Sequence, residues 1–147
     1  MKAICNRIFA PASNSVTANI ALLVLRVWLG VTLFANHGLS KLTGFSKMSP
    51  FFADTIHLGN GPLTLGLVVF AEVGCATLLT LGLLSRFAAF VLIINFSVAF
   101  FVHHKMALSG ANSGELAFIY LAVVVSLLIA GPGRISADAM IFKKTGK

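Results

Sequence analysis

The chain has 147 residues, of which 58% are hydrophobic and 10% charged, and a mean hydropathy of +0.96. A soluble domain of this length needs about a quarter of its residues charged, so the composition excludes one and points to a membrane protein. The formal net charge of +7 does not indicate nucleic acid. The basic residues are dispersed between apolar segments, where they orient a protein in a bilayer and meet anionic headgroups.

Residues 1–15 read as a short, basic, irregular arm. It is not a secretory signal, because Cys5, Asn6 and Arg7 break its apolar stretch and the run that follows is too long for a cleaved segment. Span one is expected over about 17–42. That run exceeds the roughly 30 Å hydrocarbon core, so it should tilt or project beyond it. Arg26, Gly30, His37 and Lys41 fall within roughly 60° of one another on this helix. One face is therefore polar or small, and other helices must cover it.

The loop 43–61 is expected to hold a small interfacial helix, with Ser49 as N-cap, Pro50 in first position and Gly59 as stop. Phe51, Phe52 and Ile56 would rest it on the membrane surface. Span two, about 62–84, carries Glu72 near its middle and small residues such as Gly74 and Cys75 for close helix contact. Cys75 reads as a packing residue, and its depth forbids a disulfide to Cys5. A very short turn at Arg86 makes spans two and three, the latter about 86–104, a tight hairpin. Asn95 in span three reads as interhelical glue. Glu115 opens span four, about 115–130, which Gly131-Pro132-Gly133 stops. Ser136 then caps a last amphipathic helix, 137–144, with Met140, Ile141 and Phe142 towards lipid and Lys143 and Lys144 in water.

The expected fold is thus all-α: one four-transmembrane-helix bundle filling residues 1–147, with short interfacial helices in the first loop and at the C-terminus. An even number of spans puts both termini on one side. That side holds Lys2, Arg7, Arg86, Arg134, Lys143, Lys144 and Lys147, against Lys41, Lys47 and Lys105 opposite. Seven basic residues against three predict cytoplasmic termini. His37, His57, His103 and His104 then share the other side with Lys41, Asp54 and Glu115, a rim able to accept protons or hold a ligand. His103 and His104 are adjacent, so they are expected to project apart, and no metal-ligand spacing is present.

Two charges lie deep in the spans. Counted from the cytoplasmic ends, Arg26 sits at about 13 Å and Glu72 at about 18 Å. A lone charge at such depth costs at least about 2.5–3.5 kcal/mol, so the two are expected to pair. The pair reads either as a register lock or as part of a polar pocket or proton relay.

Several short motifs in this order resemble the DoxX family. They are Leu25-Arg26, His37-Gly38-x-x-Lys41-Leu42-x-Gly44-Phe45, Glu72, Leu81-Gly82-Leu83-Leu84-Ser85-Arg86, and Gly131-Pro132-Gly133-Arg134-Ile135-Ser136-Ala137-Asp138. The likeness runs from about Leu22 to Asp138. It implies a four-helix, multi-pass protein of the bacterial inner membrane. The family takes its name from subunits associated with quinone-coupled oxidation of sulfur compounds, and many members are labelled oxidoreductases. The expected function is accordingly a quinone-linked oxidoreductase component working with partner subunits or as a homo-oligomer. The competing reading is a non-enzymatic scaffold or small transporter-like protein. Arg26, His37, Lys41 and Glu72 are the candidates for ligand binding or proton relay, with His103 and Glu115 behind them. Quinone is the candidate cofactor. Its head would sit on the face of Arg26 and His37, where Gly30 leaves room for a ring.

Overall fold

The computed structural model describes residues 15–53 and 60–143, and every regular element among them is helical. Helix α1 runs Val16–Thr43, α3 Gly61–Leu81, α4 Ser85–His103 and α5 Glu115–Ala130. Two short helices complete the set: α2, Phe45–Met48, and α6, Ala137–Lys143. Helices α1, α3 and α4 are long and apolar enough to cross a membrane, while α5 is apolar but only 16 residues long. Expectations for the arm before Ser15, Cys5, Asp54, Ile56, His57, Gly59, Lys144, Lys147 and the side chains of Phe142 and Lys143 lie outside what is described.

Local chemistry sets the helix ends. The Ser15 side chain accepts from the Ala18 amide at 3.4 Å and starts α1. Asn60 accepts from the Leu63 amide at 3.0 Å and starts α3, with Pro62 in its first turn. Gly82, at φ +70°, closes α3: its amide donates to Leu79 O and the Leu83 amide to Leu78 O, a turn that only a residue tolerant of the left-handed region closes cheaply. Three residues separate α3 from α4, so the two are antiparallel neighbours.

The first-loop helix departs from expectation. It begins at Phe45, not after Ser49, because the Gly44 carbonyl accepts from the Lys47 and Met48 amides and nucleates a turn immediately beyond α1. Ser49 is buried inside the continuation, a 3-10 turn over Ser49–Phe52, and caps nothing. The other end behaves as the residues suggest: Ser136 Oγ accepts from the Ala139 amide at 3.1 Å and starts α6, which leaves Met140 and Ile141 exposed.

Close approaches fix the register of α1 against α3. A Cβ on Gly38 would meet the Glu72 backbone and Val73, one on Gly30 would meet Thr80 and the Ala76 carbonyl, and one on Gly82 would collide with the Arg26 guanidinium. Down α1, residues 38, 30 and 26 therefore oppose 72, 76–80 and 82. Helix α5 packs on α4 along its length and meets α1 only sparsely. Leu29, Leu33, Cys75, Leu79, Leu92, Val124 and Leu127 form a tight middle layer. The outside is apolar too, with Trp28 at 75% and Ile129 at 72% exposure. That is the surface of a protein whose solvent is lipid, where close packing and polar contacts hold helices together.

Candidate functional site

Two polar centres flank the middle layer, about 16 Å apart by the rise of α1 from Arg26 to His37. The first lies at the hairpin end, beside the α3–α4 turn. Arg26, 1% exposed, donates through Nη2 to Ile135 O at 2.6 Å and through Nε to Leu22 O at 3.4 Å. Asp138 is fully buried and close enough to act on Arg26 electrostatically. The Asp138 carboxylate accepts from the Leu84 amide at 2.8 Å and the Ser85 amide at 3.0 Å, and its own amide donates to Gly82 O. One carboxylate thus caps α4 from more than fifty residues away. Asn19 adds a tie, accepting from the Arg134 amide at 2.6 Å. This centre is a clamp, holding α1, the hairpin turn and the segment after α5 in one arrangement.

The second centre lies at the first-loop end. Lys41 Nζ and Glu72 Oε2 are 2.5 Å apart, with side chains 16% and 8% exposed. Lys41 also reaches His37 O at 3.5 Å, and Asn95 Nδ2 approaches Glu72 Oε1 at 3.5 Å. The pair borders a cavity of about 470 Å³. Its polar lining includes His37, Asn95, His103, His104 and Tyr120, and Phe51, Phe52 and Phe96 supply apolar wall. The rings of His37 and Tyr120 meet edge to face at 5.8 Å, and Phe96 lies 5.3 Å from Tyr120.

A backbone feature marks the same place. Each of the three long helices contains one π-helical stretch, Leu33–Gly38 in α1, Phe70–Cys75 in α3 and Val98–His103 in α4. His37, Glu72 and His103 lie within them, and all three line the cavity. Widened turns of this kind re-aim side chains and are frequent at functional sites. Periodicity with a fixed 3.6-residue turn does not reveal them, and Asn95 and Tyr120 were missed as cavity residues for a related reason. Only the packing of four helices shows that they point inward at the depth of Glu72.

Several expectations are corrected. Arg26 does not pair with Glu72; Lys41 does. The depth count treated the start of the apolar run as one end of the bundle. In fact the first ten residues of α1 extend past the hairpin turn, where the segment after α5 packs against Asn19 and Leu22 and leaves Val16, Ile20 and Val24 exposed. Arg26 is therefore level with Gly82, and Glu72 lies about 15 Å away along α3. Arg26 and His37 share a face of α1 but belong to different centres. Gly30 leaves no space for a ring, because Thr80 and Ala76 occupy it. His103 and His104 do not project apart: their rings meet at 4.9 Å, since His104 lies where the helix ends and the chain turns away. The His104 ring nitrogen Nδ1 is 3.0 Å from Asn112 O. Glu115 is exposed and stands outside the cavity, which its neighbours Ser113, Leu116 and Ala117 line.

The DoxX family model matches residues 21–105, which include both deep cations, Glu72, Asn95 and all three π-helical stretches. The chain belongs to the DoxX family. Two proteins of Haemophilus influenzae, each described as an uncharacterized protein, are similar to it along most of their length. One is 29% identical over 135 residues, covering 88% of this chain and 89% of the relative. The other is 36% identical over 121 residues, covering 76% and 84%. No solved structure matches this DoxX chain.

Proposed function

We propose that this DoxX protein is a four-span protein of the bacterial inner membrane, a single bundle over residues 1–147, that binds a small hydrogen-bonding ligand at Lys41–Glu72 as a quinone-linked oxidoreductase component. Helix α5 serves as the fourth span: its 16 residues rise about 24 Å, and its full-length packing on α4 carries it through the same apolar layer. With the positive-inside bias, the termini and the clamp lie at the cytoplasmic face and the cavity opens towards the other side.

The observation that carries this reading is an ion pair beside open space. A charge pair that only holds helices together is best packed shut, since desolvation is offset only by good geometry and full hydrogen bonding. Here the pair lines a cavity of about 470 Å³, within the usual range of ligand pockets. The donor set suits a quinone ring. Lys41, Asn95, Tyr120 and His37 can donate to ring oxygens, and Phe96 and Tyr120 supply aromatic faces. A bound quinone would supply two-electron chemistry that also consumes two protons. Glu72 and the histidines, His103 and His104 included, line the cavity and are the groups placed to hold and pass them. Partner subunits or a second copy would complete the electron path.

Native mass spectrometry of the protein released from lipid nanodiscs with added decyl-quinone tests this. The expected result is a stoichiometric quinone adduct that disappears in the Lys41→Gln, Glu72→Gln double variant. An adduct that persists in the variant places the site elsewhere. The scaffold reading makes a different prediction: the charge-swapped protein, Lys41→Glu with Glu72→Lys, would then recover both folding and cellular phenotype.

A further inference from the structure

The Asn36 side chain of α1 belongs to neither polar centre. It is exposed, stands outside the lining of the Lys41–Glu72 cavity, and has no hydrogen-bond partner among the described residues. Its depth makes that costly. Gly38 meets the Glu72 backbone, and Glu72 lies about 16 Å from the Gly61 end of α3 and about 14 Å from the Leu81 end. Asn36, two residues from Gly38, is therefore within a few ångströms of the middle of the apolar layer, beyond the reach of water and headgroups. An amide at that depth needs a partner that hydrogen-bonds.

The rest of its face is apolar and shaped for a helix. Counted at about 100° per residue, Asn36 would fall about 120° round α1 from Val24, but the extra residue in the π-helical turn Leu33–Gly38 takes back most of that angle. Asn36 thus continues the exposed row of Val24, Trp28 and Val31. Along that row Leu23, Val24, Val27, Trp28, Val31 and Thr32 line an open apolar groove of about 490 Å³. They are neighbouring pairs one helical turn apart, the spacing with which one helix receives the side chains of another. Trp28, 75% exposed, is the largest side chain on the face.

We propose that this face of α1 is the contact between two copies of the chain, with Asn36 as its polar anchor. A second copy fits because each feature of the face is its own complement. Two copies inserted in the same orientation are related by an axis along the membrane normal, so each residue meets its counterpart at equal depth. Asn36 then faces Asn36, and because an amide both donates and accepts, the pair satisfies both side chains. Trp28 lies at the mid-height of the groove, so the indole of one protomer seats in the groove of its partner. Ala35, small and exposed beside Asn36, lets the two helices approach there. An acyl chain supplies no hydrogen bond at this depth. Lys41 and Glu72 lie off this face, and pairing through it requires nothing of what binds beside them.

Dye-labelled full-length protein diluted in proteoliposomes, read by single-molecule photobleaching and Förster transfer, tests this. The wild type is expected to bleach in two steps, with monomers appearing only at high lipid dilution. Asn36→Leu keeps the apolar contact and removes the amide pair. Its dissociation constant should rise about tenfold, equivalent to about 1.4 kcal/mol, at an unchanged melting temperature, and Asn36→Gln should recover most of the loss. Disulfide trapping in a Cys5→Ala background, where Cys75 is buried, locates the face. Val24→Cys and Asn36→Cys should each give trapped dimers, whereas Phe90→Cys on α4 and Ile129→Cys on α5, equally open to lipid, should not. Single-step bleaching of the wild type at every dilution overturns the proposal, as does a dissociation constant that Asn36→Leu leaves unchanged. Trapping through α4 or α5 in place of α1 overturns the choice of face. Trapping of Asn36→Cys in native membranes to a protein of another size, with the purified chain monomeric, overturns the second copy and gives the face to an unlike partner.

Discussion

The two polar centres of this bundle contain the same kinds of group and use them differently. At the hairpin end, Arg26 and Asp138 are 1% and 0% exposed, and each spends its hydrogen bonds on backbone: Ile135 O and Leu22 O for the one, the Leu84 and Ser85 amides for the other. Glycine at position 82 lets the guanidinium press against the chain itself. At the first-loop end, Lys41 and Glu72 bond to each other, and a cavity lies beside them. Charges tied to backbone and packed shut hold a fold together. Charges tied to side chains beside open space can change partner without unfolding it.

The contrast is broken most severely at Asp138. Asp138→Ala uncaps α4, leaves the Leu84 and Ser85 amides unpaired and removes a negative charge that acts on buried Arg26, an expected loss of about 2–4 kcal/mol. It should appear as loss of the monodisperse peak in size-exclusion chromatography or a sharply lowered melting temperature in detergent. Asp138→Asn keeps one acceptor for the cap and is expected to lose less. Filling the α1–α3 contact comes next. Gly30→Leu drives a side chain into Thr80 and the Ala76 carbonyl, at a cost of about 1–3 kcal/mol. Its melting temperature should fall between those of Asp138→Ala and the wild type.

Glu72→Gln sharpens the comparison. The bland expectation for breaking an ion pair is a large loss, but Lys41 lines a cavity with room for water, which can solvate it. The expected stability change is within about 1 kcal/mol, the range of partly solvated pairs, while decyl-quinone affinity falls about tenfold or more. The smallest effect is expected for Asn95→Ala. It removes a long contact to Glu72 Oε1, worth about 0.5 kcal/mol, and thermal melting should barely register it.

Much of this arrangement was legible in the residues, for identifiable reasons. Lipid demands apolar runs about twenty residues long with every backbone group satisfied, so the long helices are written openly, as are the stop at Gly131 and the cap at Ser136. Asn60 and Gly82 set the ends of α3, but hydropathy runs that span on to Leu84 and puts the turn at Arg86, whereas the turn falls at 82–84 and Arg86 lies in the first turn of α4. The candidate site was legible as a set of residue types: Lys41, Glu72 and His37 were picked out, but not who pairs with whom. Pairing depends on axial register between helices, which Gly30 and Gly38 set through close contact and which counting inward from the ends of apolar runs does not recover. Asp138 escaped notice as a partner because its role is to cap a helix that begins at Ser85. Asn95 and Tyr120 became cavity residues only once α4 and α5 were packed together, and the π-helical stretches that aim His37 and Glu72 interrupt the regular turn on which sequence reading relies.

The central claim is that Lys41–Glu72 serves a ligand and Arg26–Asp138 serves the fold. Equilibrium binding of radiolabelled decyl-quinone in nanodiscs, measured together with melting temperature for Glu72→Gln and Arg26→Lys, tests it most directly. The account predicts that Glu72→Gln loses affinity about tenfold at nearly unchanged melting temperature, and that Arg26→Lys melts early while its folded fraction binds like the wild type. Unchanged quinone affinity in Glu72→Gln, or loss of affinity in folded Arg26→Lys, would contradict it.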